Sequence, residues 1–197
     1  MLFQEKAEKE MLEYHARREG PMFEGDERYI VKLNLENRLT SKAVEFLLAK
    51  QTNPNWAIKD MQFQNISHLA LTKLNGIYLN VIDQRQYNGL YNFTHFNFDN
   101  NSLAMGNQNQ ILEWDVYYAI MFSTSYGHGM SSHNRKFYWN SLENFFEPIF
   151  YDGMFRIDDN YPHMAMPATE FFLNGITEAK KRLKKIKIEN FYEKLKM

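Results

Sequence analysis

The densest group of reactive side chains lies between residues 128 and 152. It contains His128, His133 and Asn134 in one polar stretch, and Asp152 further along, directly before a glycine. Amide and carboxylate oxygens are hard donors that suit magnesium together with water and phosphate oxygens. An imidazole can accept a proton from a substrate hydroxyl, because its ordinary pKa is about 6.5. The pattern therefore predicts a magnesium site formed by Asn134 and Asp152, with His128 as the candidate general base.

Two other interpretations of these residues stay open. His128, His133 and Asp152 supply two imidazoles and one carboxylate, a ligand set that also occurs at catalytic zinc. Against zinc, the two histidines are spaced as in a loop and no Glu stands between them. Alternatively, Asp152 caps a turn before Gly153, and Asn134 makes ordinary backbone hydrogen bonds.

A helix, a loop and a hairpin are expected to position these side chains. Residues 111–126 carry apolar side chains at helical spacing and predict a buried helix. Residues 135–139 and 145–151 are rich in aromatics and flank a turn-like polar stretch, which predicts a β-hairpin. Because a hairpin brings its two ends together, the loop before it and Asp152 after it should converge.

The remaining patterns predict a mixed architecture. Helices are expected over residues 5–19, 41–50 and 168–197, and a strand over residues 28–35. Residues 56–106 predict short strands and turns, with Asn75-Gly76 and Asn88-Gly89 as turn dipeptides. No internal repeat or linker is evident, so residues 1–197 are predicted to form a single α+β domain.

Composition limits the classes of function. The chain has 197 residues, 44% of them hydrophobic, and a net charge of -1, so no bulk field directs it to nucleic acid or to a membrane surface. No stretch approaches the roughly 20 apolar residues of a membrane helix, and the charged N-terminus lacks the apolar core of a signal peptide. A cytoplasmic location is expected. Without cysteine, disulfide and thiolate chemistry are excluded.

The segment 128–152 resembles the C-lobe signature of the spore-coat protein H (CotH) family of atypical protein kinases. The similar residues are His128-Gly-Met-Ser-Ser-His133-Asn134-Arg-Lys-Phe-Tyr, followed by Glu147-Pro-Ile-Phe-Tyr-Asp152. Residues 114–119 resemble the aromatic-Asp helix that precedes this signature. Residues 5–13 and 17–22 are similar to the segment that follows the nucleotide-binding lobe.

The resemblance implies a kinase-like C-lobe that uses ATP and Mg²⁺ to phosphorylate protein Ser or Thr, with Asn134 and Asp152 as metal ligands. The chain also departs from the family. No glycine-rich loop is present, no β-rich lobe is recognisable ahead of Glu5, and Gly129 stands where the wider kinase pattern has an Asp base. The chain is therefore either a truncated kinase, active or inactive, or a catalytically silent interaction module.

Partners follow from the same resemblance. They are expected to be a protein substrate or the missing N-terminal lobe. A face that has lost its lobe should expose apolar side chains and promote self-association, and Leu2, Phe3 and Met130 are the expected contributors.

Overall fold

A four-stranded antiparallel sheet organises the protein, in the strand order β2-β1-β3-β4. The computed structural model describes residues 9–36, 48–88, 98–123, 128–151 and 170–186. Its strands are β1 (Met22–Gly25), β2 (Ala49–Gln51), β3 (Lys136–Asn140) and β4 (Phe145–Ile149). Its helices are α1 (Lys9–Tyr14), α2 (Arg28–Leu35), α3 (Pro54–Ala57), α4 (Met61–Asn88), α5 (Asn100–Leu103), α6 (Gln108–Ser123) and α7 (Glu170–Leu183). The predicted α+β class is confirmed.

The sheet separates two apolar clusters because successive side chains of a strand point to opposite faces. Phe137 and Trp139 of β3 belong to the main core, which α4 and α6 cover. Tyr138, between them, packs on the other face with Leu12 of α1. The indole nitrogen of Trp114 donates to the Phe146 carbonyl at 2.9 Å and ties α6 to β4.

The helix and hairpin predicted around the candidate site are both present. Helix α6 covers most of the predicted range, and its Trp114, Tyr118 and Phe122 are buried as the spacing indicated. Strands β3 and β4 pair antiparallel, with Lys136 opposite Ile149. The turn between them closes with Asn144 at a φ of 60°.

The strand predicted over residues 28–35 is wrong, since these residues form helix α2. The apolar side chains there fit both an alternating and a helical pattern. The exposed residues Val31, Lys32 and Leu35 recur at helical spacing. At the start of the helix, the Asp26 carboxylate accepts a hydrogen bond from the Arg28 backbone amide at 3.2 Å, and such a group favours helix initiation.

The strands and turns predicted for residues 56–106 are also wrong in the described part, residues 56–88 and 98–106. The predicted Asn88-Gly89 turn is not tested, because Gly89 lies outside that part. Most of the described part of this region is α4, a 28-residue helix. Its buried residues Ser67, Ala70, Leu74 and Ile77 recur every three or four positions. The expected turn at Asn75-Gly76 lies inside this helix, where the Asn75 side chain instead accepts a hydrogen bond from the Ala49 amide at 2.7 Å.

Helix ends deviate from the predicted bounds. Residues 41–47 of the predicted helix 41–50 lie outside the described part. Residues 49 and 50 belong to β2 and not to a helix, because they pair with β1 and place Lys50 3.3 Å from Glu24. Helix α1 ends at Tyr14, ahead of the predicted Gly20-Pro21, and Ala16 with a φ of 53° turns the chain there. Helix α7 matches the predicted C-terminal helix to Leu183, and residues 187–197 lie outside the described part.

The expectation for Met130 is wrong. Its side chain is fully buried in the main core instead of contributing to an exposed seam. Leu2 and Phe3 lie outside the described residues. No helix among the described residues has the length and apolar character needed to span a membrane.

Candidate functional site

Residues 128–135, which are the described part of the loop between α6 and β3, have several backbone carbonyls fixed by the protein core. The Tyr117 hydroxyl donates to the Gly129 carbonyl at 3.4 Å, and the Tyr78 hydroxyl donates to the Ser132 carbonyl at 2.7 Å. The Ser131 carbonyl accepts from the backbone amides of Asn134 and Arg135 at 3.0 and 2.9 Å. Because its carbonyls are held in this way, the loop that carries Asn134 has a defined conformation.

Arg135 contacts the same loop from the side of the protein core. Its guanidinium is fully buried and donates to the Met130 carbonyl and to the Tyr118 hydroxyl, each at 2.7 Å. The cation also lies 4.7 Å from the centre of the Phe98 ring and 5.1 Å from that of Tyr118. A planar group with several donors suits this position, since it stacks on rings and forms two directed hydrogen bonds at once.

Burial keeps the tyrosine hydroxyls in their donor form. It raises the pKa of Tyr117 to about 12 and also raises the pKa values of Tyr78 and Tyr118, while the positive charge of Arg135 opposes the shift in all three. The hydroxyls therefore stay protonated at neutral pH, and the hydrogen bonds that Tyr78 and Tyr117 donate to the loop persist.

Two glycines allow the loop to pack against neighbouring backbone. A methyl group on Gly25 of β1 would lie 2.1 Å from the Ser132 carbonyl oxygen, and one on Gly129 would lie 2.2 Å from the carbonyl oxygen of Tyr151. The second contact joins the start of the loop to the segment that follows β4. It brings the loop against the residue that immediately precedes Asp152.

Tyr151 is also held from the strand side. The ammonium group of Lys136 lies 4.1 Å from the centre of the Tyr151 ring and forms an ion pair with Glu24 of β1. Both neighbours of the site, the loop and the segment after β4, are thus attached to the same sheet.

The structure places the predicted site residues as follows. Asn134 and His133 are half-buried at the end of the loop, with the His133 Nε2 atom 3.4 Å from the Ser131 hydroxyl. His128 begins a single 3₁₀ turn, and its side chain is not among those described. Asp152 lies outside the described residues. The distance between Asn134 and Asp152 is therefore not tested, and the predicted metal site stays a prediction.

The candidate metal ligands are compared by their donor chemistry. Among the described residues, no group of three or more His, Cys, Asp or Glu side chains could hold a metal ion. The zinc and magnesium interpretations both include Asp152, which lies outside the described residues. An amide oxygen and a carboxylate oxygen are donors compatible with magnesium, which needs few protein ligands when phosphate oxygens and water complete its shell.

Sequence reasoning missed the residues that hold the loop. Tyr78 lies in a region predicted to be strands, so its role beneath the loop was not foreseen. Arg135 stands among the reactive side chains of the polar stretch and at the start of a predicted strand, but no buried role is predicted for it. A signal was present, because an arginine inside an aromatic-rich hairpin needs buried acceptors or ring faces to lie against.

Comparison of the chain with protein-family models, with curated proteins and with solved structures gives no match. The resemblance to the CotH family consequently depends on the sequence motifs alone.

Proposed function

We propose that this chain is a kinase-like C-lobe of the spore-coat protein H type, which binds Mg²⁺ and ATP for phosphoryl transfer to protein Ser or Thr. The observation that carries the proposal is the contact between Gly129 and the Tyr151 backbone. It joins the loop of Asn134 to the residue before Asp152, as a shared metal site requires.

The fixed loop supports this function because phosphoryl transfer is catalysed mainly by positioning and by electrostatic stabilisation. A flexible Asn134 would bind a cation at an entropic cost. Here the loop is held by Tyr78, Tyr117 and Arg135, so that much of this cost is met during folding. Bound magnesium would neutralise charge on the phosphate oxygens.

The proposed roles follow from residue chemistry. Asn134 and Asp152 hold the cation through an amide and a carboxylate oxygen. His128 accepts the proton of the attacking hydroxyl, since Gly129 has no side chain to do so.

A second candidate function, a silent interaction module, is favoured by one specific observation. The place of the expected Asp base is Gly129, and a side chain there would collide with the Tyr151 carbonyl. A base at that position is thus incompatible with the packing. If His128 does not serve instead, the fold keeps a nucleotide-type site without transfer chemistry.

The test is a titration of Mn²⁺, as a substitute for Mg²⁺, followed by electron paramagnetic resonance with and without a non-hydrolysable ATP analogue. Wild type should bind more Mn²⁺ when the nucleotide is present. Asp152→Ala should abolish this increment and Asn134→Ala should weaken it. Glu143→Gln, which changes an exposed carboxylate in the hairpin turn, serves as the matched control. Equal binding in all four proteins would contradict the proposed site.

A further inference from the structure

A cavity of about 320 Å³ lies between α6 and α7, and it is lined by residues other than those proposed for the kinase-like site. On α6 the lining residues include Gln108, Ile111 and Asp115, which recur at helical spacing along one face. Asn174 and Glu178 of α7 line the opposite wall. Its volume falls at the lower end of the range of about 300–1,000 Å³ that is usual for small-ligand sites.

Close helix packing forms the cavity. A methyl group on Gly175 would lie 2.1 Å from the Asp115 carbonyl oxygen, so the backbones of α6 and α7 touch at this point. The helices are fixed further along by Arg182, whose guanidinium binds both carboxylate oxygens of Glu113 at 2.6 and 2.8 Å. The walls of the cavity are therefore set by the fold.

Asp115 is the unusual group in this cavity. It is only 4% exposed, and one of its carboxylate oxygens accepts a hydrogen bond from the Asn100 amide at 2.7 Å. No other residue of the described part donates to the carboxylate, although Asp115 lines the cavity. Burial raises the pKa of Asp115, and the hydrogen bond from Asn100 opposes that shift. Neither carboxylate oxygen is a buried atom without a partner, so the oxygen that does not bind Asn100 is open to the cavity. A cation or another donor that enters the cavity can therefore reach it.

The charge of the lining favours a cation. The described lining residues include two carboxylates, Asp115 and Glu178, and no Lys, Arg or His. Glu178 is already paired with Lys181 and Arg182, both at 3.1 Å. Asp115 is then the lining carboxylate for which the described residues supply no cationic partner.

We propose that the cavity between α6 and α7 binds the ammonium group of a small alkylamine, with the Asp115 carboxylate as its charged acceptor. An ammonium group has three donors and no acceptor, and the amide oxygens of Gln108 and Asn174 offer two further acceptors. The alkyl chain packs on Ile111 and Leu112 in the same cavity. A hydrated Mg²⁺ ion would compete for the same acceptors, so the experiment includes competition with Mg²⁺.

The experiment titrates the full chain with n-butylammonium and follows backbone amide shifts by nuclear magnetic resonance. Saturable shifts confined to α6 and α7 are expected, with a dissociation constant of about 1 mM or tighter. n-Butanol has the same shape without the charge, and tetramethylammonium has the charge without donors. Both should bind at least about tenfold more weakly, because n-butanol lacks the positive charge that strengthens a hydrogen bond to a carboxylate and tetramethylammonium has no donor at all.

Variants locate the site. Asp115→Asn preserves the shape and should weaken butylammonium binding about tenfold or more, whereas the exposed-turn control Glu143→Gln should bind as wild type does. The comparison of ligands on the wild-type chain keeps the proposal testable if Asp115→Asn does not fold. Absence of saturable binding, equal binding of n-butanol, an unchanged affinity in a folded Asp115→Asn, or displacement by equimolar Mg²⁺ would each overturn it. No kinase activity is measured, so this outcome is independent of the proposed function.

Discussion

Replacing Arg135 tests the idea that its buried guanidinium fixes the candidate site. In Arg135→Met the Met130 carbonyl and the Tyr118 hydroxyl each lose a charged donor at 2.7 Å, and two ring contacts lose their cation. A hydrogen bond to a charged group contributes about 1.5–3 kcal/mol, and the apolar Met side chain recovers part of the loss. We expect the free energy of unfolding to fall by about 2–4 kcal/mol.

Urea unfolding followed by tryptophan fluorescence measures this change. With an m-value of about 2 kcal/mol/M, the midpoint should fall by about 1–2 M in Arg135→Met. Arg135→Lys keeps the charge but not the planar fork, and it should lie between wild type and Arg135→Met. Faster amide hydrogen exchange at Ser132 and Asn134 in Arg135→Lys would show that the loop itself is loosened.

The matched control is Arg28→Met, at a side chain that is 76% exposed and bound to Asp26 on the surface. Its urea midpoint should equal that of wild type within error. The reasoning is refuted if Arg135→Met also unfolds at the wild-type midpoint, because the buried contacts would then contribute nothing to stability.

Three further predictions follow from the structure. Gly129→Ala should destabilise the fold by about 1–3 kcal/mol, because the new methyl group overlaps the Tyr151 carbonyl after β4. Gly76→Ala, in open space on α4, should stabilise the fold by about 0.5–1 kcal/mol. Thermal unfolding compares the two variants, and equal melting temperatures would contradict the close contact between Gly129 and Tyr151. Because burial raises the pKa of Asp115, its contribution to stability is present at low pH and is lost as pH rises through the raised value. Melting temperatures between about pH 4 and pH 7 should therefore favour Asp115→Asn increasingly as pH rises, and a pH-independent difference would refute this. The proposed C-lobe depends for transfer on a glycine-rich loop that covers the phosphates, and this sequence contains none. The 197-residue chain by itself should therefore incorporate no detectable labelled phosphate from ATP. Clear incorporation that Asp152→Ala abolishes would instead reveal a phosphate-binding Lys within residues 28–106.

The sequence predicted the elements around the candidate site better than the rest of the fold. The aromatic residues of α6 recur only at helical spacing, and the two short runs of the hairpin have only the pattern of strands. The local sequence pattern and the tertiary structure therefore favour the same secondary structure. In α4 the helical spacing of Ala70, Leu74 and Ile77 was obscured by Asn, Gln and aromatic residues, which are usual in turns and strands.

Long-range contacts lay beyond sequence reasoning. Tyr78 reaches Ser132 over 54 positions of the chain, and nothing local to either residue specifies that pairing. The burial of Met130 has the same origin, since it depends on the packing of the loop against α6 and not on the polar residues that surround it in sequence. The sheet order also depends on such contacts, because β1 pairs with β3 across more than 100 residues.

The location of a bound metal ion tests the central proposal most directly. In a ¹⁵N-labelled sample, Mn²⁺ added with an ATP analogue broadens the amide signals of residues near the ion. We predict that the strongest broadening falls on residues 131–134 and Tyr151, and that it disappears in Asp152→Ala. Broadening that is scattered over exposed carboxylates, or that persists unchanged in Asp152→Ala, would contradict the proposed magnesium site.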